Sequence, residues 1–274
     1  MPLPRLIALD IDGTLTRLDG SISASTRAAL GELRRLGIVV ALATGRPWEI
    51  ALQALDGLGR FEADLLISSN GATTIDLATR RVVREAMVDA ALVEPTVTAA
   101  RRLVVGAGIA IETDQRTLHE DGFAARLPHG VTMGGAVPDA LLAWQADPNP
   151  ARKVLVFHDD HDADIAALAA LLAPHLADGL SAGESGLRCV QVGPAGISKA
   201  SALDEVCIRS GIDRAATVAV GDGDNDVEMI AWAGLGVAMG NASPVVRAAA
   251  DRVIAHTDDD GLATFLEELL SPQQ

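Results

Sequence analysis

Leu6-Ile7-Ala8-Leu9-Asp10-Ile11-Asp12-Gly13-Thr14 decides how this chain is read. The apolar run from Leu6 to Leu9 has strand length and stops at two carboxylates, Asp10 and Asp12. A run without polar alternation suits a strand covered on both faces, as in a parallel sheet. Gly13 then permits a sharp turn and a close approach of backbone to a ligand. One carboxylate at such a strand end can attack phosphorus while a metal screens the repulsion between anions. The other can protonate the departing oxygen and later activate water. The plain alternative is a capped turn with two solvated aspartates.

The same layout recurs outward from this stretch. Ile38 to Ala43 ends at Thr44-Gly45-Arg46, and Leu65 to Ile67 ends at Ser68-Ser69-Asn70-Gly71. Thr217 to Val220 ends at Gly221-Asp222, and Leu235 to Met239 ends at Gly240-Asn241. Helical patterns lie between these runs. Ser23 can cap a helix carrying Leu30, Leu33 and Leu36, with Gly37 as its stop. Ser198 can cap one carrying Leu203, Val206 and Ser210, ended by Gly211, and Ser243-Pro244 reads as an N-cap with proline at the first helical position. Strand alternating with helix predicts an α/β fold with a doubly wound, mainly parallel sheet. Ligands sit at the carboxyl ends of strands in such sheets. The polar clusters should therefore converge on one crevice.

The middle of the chain breaks this rhythm. From Arg81 to Val190, short candidate strands (Ile109 to Glu112, Lys153 to Phe157, Arg188 to Val192) mix with alanine-rich helices. This predicts an inserted α+β domain over 81–190 and a core built from 1–80 and 191–274. His158-Asp159-Asp160-His161-Asp162 looks like a metal cluster, but reads better as the solvated acidic start of a helix through Ile165, Leu168 and Leu171. Arg34-Arg35 and Arg101-Arg102 read as solvated helix faces. Trp48, Trp144 and Trp232 are open between core and site lining.

With 274 residues and about 150 per domain, one or two domains are expected. At 49% hydrophobic residues, long disorder is excluded. The formal net charge of −15 argues against nucleic acid or an anionic membrane as main partner. It does not forbid a small anionic substrate, because a metal and a few cations can invert the sign locally. Cys189 and Cys207 form no disulfide framework, which suits a reducing cytoplasm. No signal-peptide layout and no run of about 18 uncharged apolar residues is present, so a soluble, cytoplasmic protein is expected.

Three further pieces carry chemistry. In Gly221-Asp222-Gly223-Asp224-Asn225-Asp226, three acids repel one another unless a cation holds them. Few hard oxygen ligands with room for water and phosphate suit Mg²⁺. A calcium loop is disfavoured because the twelfth position from Asp222 is Ala233, not glutamate. The alternative is an acidic turn without metal. Thr44-Gly45-Arg46 offers a hydroxyl and a backbone N–H for phosphate oxygens, or is a simple strand-to-helix turn. Lys199 falls at the first position of a helix, where the macrodipole disfavours a cation unless an anion lies near. Otherwise it is an exposed lysine.

Together these pieces resemble the haloacid dehalogenase-like hydrolases. Asp10 to Leu15, Thr44, Lys199 and Gly221 to Asp226 look like the four motifs, in order. Ser69-Asn70-Gly71-Ala72, Ala238 to Ala242 and Asp260-Gly261 resemble the Cof-type subgroup, which carries a large α/β cap between the second and third motifs. The resemblance implies Asp10 as nucleophile and metal ligand, and Asp12 as general acid/base with its backbone carbonyl on the metal. It implies Asp222 as a further contact to Mg²⁺, Asp226 at the metal supporting its waters or Lys199, and Thr44, Gly45 and Lys199 on the phosphoryl group. Asn225 is implied near the phosphate, with Arg46 and Asn70 as substrate or supporting residues. The implied reaction is Mg²⁺-dependent hydrolysis of a small phosphomonoester, such as a sugar phosphate or related metabolite, through an aspartyl-phosphate. A phosphomutase or phosphotransferase on the same fold would need a strongly cationic cap, and the cap shows arginines but no dense cluster. A non-catalytic metabolite-binding module would have lost a catalytic group, and none is lost. Within the cap, Arg126 and His129 are candidates to reach a polar leaving group.

Overall fold

The computed structural model describes residues 3–17, 19–57, 63–127, 133–159 and 164–271. Strands β1 (Leu6–Asp10), β2 (Val39–Ala43) and β3 (Leu65–Ser68) run parallel, and β4 (Thr73–Asp76) and β5 (Arg81–Glu85) continue the sheet antiparallel. A second, antiparallel sheet holds β6 (Gly108–Thr113), β7 (Thr117–His119), β8 (Ala151–Phe157), β9 (Leu180–Glu184) and β10 (Val190–Pro194). The chain then returns to the larger sheet with β11 (Thr217–Gly221), β12 (Leu235–Ala238) and β13 (Arg252–Val253). The larger sheet is ordered β13-β12-β11-β1-β2-β3-β4-β5, and the smaller β7-β6-β8-β10-β9.

Every residue of β1 is buried, as its unbroken apolar run requires. Its side chains alternate between two cores. Ile7 and Leu9 pack with Leu30 and Leu33 of α1 (Ala24–Arg35), beside α2 (Trp48–Gly57). Leu6 and Ala8 pack on the other face with Leu203 and Val206, from a helix that follows the smaller sheet. The sheet is thus covered on both sides and the fold is doubly wound. Ser23 caps α1 by accepting from the Thr26 N–H at 3.1 Å. Leu36, expected on the apolar face, is instead 44% exposed at the helix end, and Leu33 is the last residue of the buried stripe.

The smaller sheet carries α3 (Ala90–Leu103), α4 (Ala140–Gln145) and α5 (Ile165–Leu172) on one face. Ile109, Ile111, Val154, Val156, Val190 and Val192 point to that apolar core. By the two-residue period of a strand, Glu112, Lys153 and Gln191 point the other way, toward the larger sheet. β5 begins at Arg81 yet pairs in the larger sheet, and β10 begins at Val190 yet pairs in the smaller one. The chain therefore crosses between sheets after Glu85 and after Pro194. β5 is largely exposed and gives no apolar run to read.

The returning segment supplies α6 (Lys199–Ser210), α7 (Val227–Trp232), α8 (Pro244–Ala249) and α9 (Gly261–Leu270). Ser198 and Ser201 form a capping box at α6 and Gly211 closes it in a left-handed conformation. Among the described residues, no helix is long and apolar enough to cross a membrane.

Candidate active site

Parallel pairing fixes what meets at the top of the larger sheet. Asp10 is level with Ala43 of β2, and Leu9 is level with Val220 of β11. Thr44 and Asp222 therefore emerge beside Asp10. Gly13 follows with φ +79°, and a Cβ there would lie 2.4 Å from Asp222 Oδ2. Only glycine lets the two loops approach this closely.

Lys199, the first residue of α6, is fully buried. Its Nζ donates to Asp10 Oδ1 at 2.5 Å and to Asp226 Oδ1 at 2.6 Å. Burial opposes its charge, but the two carboxylates hold its pKa above the ordinary lysine value. They supply the anion that its place at a helix start requires. It is not an exposed lysine.

Asp226 Oδ2 also accepts from the N–H groups of Asp222 and Gly223, at 3.1 and 3.0 Å. Asp222 accepts from Thr14 Oγ1 at 2.8 Å and from Asn241 Nδ2 at 3.1 Å. One oxygen each of Asp10, Asp222 and Asp226 lies within 4.8 Å of the others. Burial and then Asp226 push the Asp10 carboxyl well above its usual range. Burial, with Asp226 adding to it, pushes Asp222 up to about 6. Three carboxylates, two buried and one half-buried, against one lysine leave the place short of positive charge. A divalent cation with hard oxygen preference fits this donor set. The Asp12 carboxylate does not join it, because Arg46 Nε holds Asp12 Oδ2 at 2.8 Å.

Thr44 is buried, and its Oγ1 accepts from the Arg46 N–H at 3.1 Å. Asp10, Asp12, Thr44, Gly45, Arg46 and Asp222 line a common cavity of about 260 Å³. Ser69 and Asn70 follow β3 with φ of +54° and +53°, sparsely populated values for residues with a Cβ. Asn70 Oδ1 accepts from Asn225 Nδ2 at 2.9 Å.

The smaller sheet closes on this site from above. Asn70 Nδ2 donates to Ser185 O at 3.0 Å and to Gln191 Oε1 at 2.8 Å. Lys153 Nζ donates to Gly45 O at 2.8 Å and lies 3.7 Å from Glu112 Oε2. Glu112 in turn accepts from Ser69 Oγ. Arg152 Nε donates to Thr73 Oγ1 at 2.7 Å. A Cβ on Gly45 would lie 2.2 Å from Ser185 O, so the sheets meet here without room for any side chain.

One expectation for the insertion is corrected. Arg126 does not reach the site: it is buried, donates to Asp159 Oδ1 at 2.8 Å and sits 4.8 Å over the Phe157 ring. It lines neither cavity beside the nucleophile. Its buried stem packs with aromatic neighbours, and this satisfies it away from the crevice. His129 and Asp160 to Asp162 lie outside the described residues. Among the tryptophans, Trp48 packs on the first core beside Arg152 and Trp144 lies in the core of the smaller sheet.

A family model for the haloacid dehalogenase-like hydrolases matches residues 7–266. The chain belongs to the haloacid dehalogenase-like hydrolases. A 5-amino-6-(5-phospho-D-ribitylamino)uracil phosphatase of Bacillus subtilis is 30% identical over 94% of this chain and 93% of its own. The phosphoglycolate phosphatase of Methanopyrus kandleri is 29% identical over 97% of each chain. A haloacid dehalogenase-like hydrolase of known structure from Bacteroides thetaiotaomicron superposes with a TM-score of 0.79 at 27% identity, covering 97% of this chain and 99% of that one. Asp10, Thr44, Lys199 and Asp222, the positions expected from the sequence to carry the four motifs, stand together at one end of the larger sheet. Around them are Thr14, Glu112, Lys153, Ser185 and Gln191, which sequence reading had not singled out. The signal for three of these was strand alternation: Glu112, Lys153 and Gln191 each stand next to a core residue of the insertion.

Proposed function

We propose that this haloacid dehalogenase-like hydrolase is a Mg²⁺-dependent phosphatase of small phosphomonoesters. Lys199 bridging Asp10 and Asp226 at the strand end carries this reading. A buried lysine clamped between two carboxylates of different segments has no structural need in a sheet-end turn, but a nucleophile in an anionic pocket needs it.

Asp10 attacks phosphorus and forms an aspartyl-phosphate as the ester oxygen leaves. Thr44, the Gly45 N–H and Lys199 hold the phosphoryl oxygens, and Asn225 stands beside them. Asp12 gives its proton to the leaving oxygen, then takes one from the water that attacks the acyl-phosphate. Arg46 aims Asp12, while Asn70 anchors the loop beneath the insertion. Asp10, Asp222, Asp226 and the Asp12 carbonyl would hold Mg²⁺, which would supply screening between the phosphate and the carboxylates.

Water, rather than a second organic acceptor, receives the phosphoryl group. Transfer to an acceptor phosphate calls for free cations above the site. Arg152 and Lys153, the insertion's cations beside Asn70, are already matched by Glu85 and Glu112, and among the described residues the insertion adds to the catalytic cavity the single cation Arg188, short of a dense cluster. The insertion acts as a cap that excludes water and sorts leaving groups. Buried thiols at Cys189 and Cys207 suit a cytoplasmic setting.

The test is phosphate release from a panel of phosphorylated metabolites and para-nitrophenyl phosphate with Mg²⁺. Release that depends on Asp10 supports the reading. A pure, folded enzyme that releases phosphate from none of them overturns it.

A further inference from the structure

A second cavity of about 400 Å³ adjoins the catalytic one, and Glu184 at the end of β9 lines both. A leaving group reaching from phosphorus at Asp10 into the larger cavity would pass this residue. The charges around the larger cavity are unevenly matched. Its cations are Arg152, Lys153 and Lys199. All three are buried, and each already faces a carboxylate: Arg152 meets Glu85, Lys153 lies 3.7 Å from Glu112, and Lys199 lies 2.5 Å from Asp10.

The acids on the same cavity have no such partners. Glu184, Asp224 and Glu228 line it, and none of them pairs with a cation among the described residues. Asp224 accepts from Ser243 Oγ at 2.5 Å, a neutral donor. Burial, and then Asp224, raise the pKa of Glu184, the direction for a carboxylate without a cation beside it. Arg188 lines the catalytic cavity, as Glu184 also does, but not the larger one. The field over the larger cavity is therefore negative, and the chain's net charge of −15 reinforces it.

We propose that Glu184 selects the leaving group by charge, accepting hydroxyl or ammonium donors and rejecting carboxylates. This inference rests on the phosphatase reading of the Asp10 site. A hydroxyl or ammonium would give Glu184 the donor it lacks, in a half-enclosed place where such a bond is strengthened. A carboxylate would stand beside unmatched acids, and like-charge contact excludes the wrong partner. Neutral side chains of Ser181 and Gln191 complete the wall, which suits a polyol or amino alcohol.

Three two-carbon phosphomonoesters test this, differing only in the far group: phosphoethanolamine, ethylene glycol monophosphate and phosphoglycolate. Para-nitrophenyl phosphate serves as the reference. The expected kcat/KM is about tenfold or more higher on the ammonium and hydroxyl esters than on the carboxylate ester. Glu184→Gln should narrow that ratio, and Glu184→Arg should reverse it. Equal or better hydrolysis of phosphoglycolate by the native chain would overturn the inference while leaving the phosphatase reading intact. So would ratios unchanged in both variants with native circular dichroism. No release from any of the four esters would overturn both.

Discussion

Arg46 grips Asp12 through both carboxylate oxygens, with Nε donating to Oδ2 at 2.8 Å and Nη2 to Oδ1. The guanidinium is 7% exposed and the carboxylate 39%, so the arginine is the fixed partner. A planar fork sets both the position and the plane of the acid that must meet the leaving oxygen. Arg46→Lys keeps the charge but loses the fork. Turnover on para-nitrophenyl phosphate should fall about ten- to hundredfold. In an Asp12→Asn background the same change should have little further effect. An Arg46→Lys enzyme as fast as its parent would show that the fork does not position Asp12.

Asp10→Asn keeps the shape of the nucleophile but not its charge. Turnover should drop about a thousandfold or more. Circular dichroism should be unchanged, because Lys199 keeps Asp226 as a partner. Retention of about a tenth of turnover is incompatible with the covalent route.

The clustered carboxylates of Asp10, Asp222 and Asp226 predict a metal effect on stability as well as rate. Chelation should abolish activity, and Mg²⁺ should restore it and raise the melting temperature. At a hundredfold excess over Kd the gain is about 2.7 kcal/mol. Asp222→Asn should shrink that thermal shift. Ca²⁺, with looser and larger coordination, should support turnover poorly. Equal rates with both ions contradict this assignment.

Lys153 and Glu112 are both buried where the two sheets meet, and burial lowers the lysine's pKa against the pull of Glu112. Lys153→Met strands Glu112 as an uncompensated charge. Urea unfolding should show a loss of about 3–5 kcal/mol. Adding Glu112→Gln should recover much of it. A single variant as stable as the double would mean the pair is not energetically coupled.

Glu49 gives a pH dependence of known sign. Burial first, and then Glu112, raise its pKa from 4.5 to about 7 in the folded chain. The folded state thus holds a proton that the unfolded state releases. Stability from this group is fully present below about pH 4.5 and declines as pH rises through 7. Partial exposure damps the effect. Glu49→Gln should flatten the melting temperature between about pH 5 and 8 relative to the parent. Parallel pH profiles would rule the carboxyl out as their source.

The larger sheet was legible because strands buried on both faces leave unbroken apolar runs, as Leu6 to Leu9 does. The catalytic strand ends were legible for the same reason: an abrupt acid after such a run stands out. β5 was not legible, since its Arg81–Glu85 side chains are mostly exposed and carry no period. Arg34 and Arg101 read as solvated, yet they bind Asp64 at 2.7 Å and Glu120 at 2.5 Å. Ion pairs across 30 or 19 residues leave no local trace. Lys153 and Glu112 were hidden because their meaning comes from Gly45 and Ser69 across the gap between sheets, which no spacing encodes.

The pairing of Leu6 with Thr217 also bears on how the chain is born. The strand that ends in Asp10 leaves the ribosome early, but its neighbour β11 follows only after the entire smaller sheet, β6 to β10, has been synthesised. That sheet is contiguous in the chain and has its own apolar core, so it can fold first. The strand bearing Asp10 must wait with one edge unpaired, and edges in that condition invite aggregation. Substitutions in β11 or β12 should therefore show up first as lost yield during expression, before any defect in the purified enzyme.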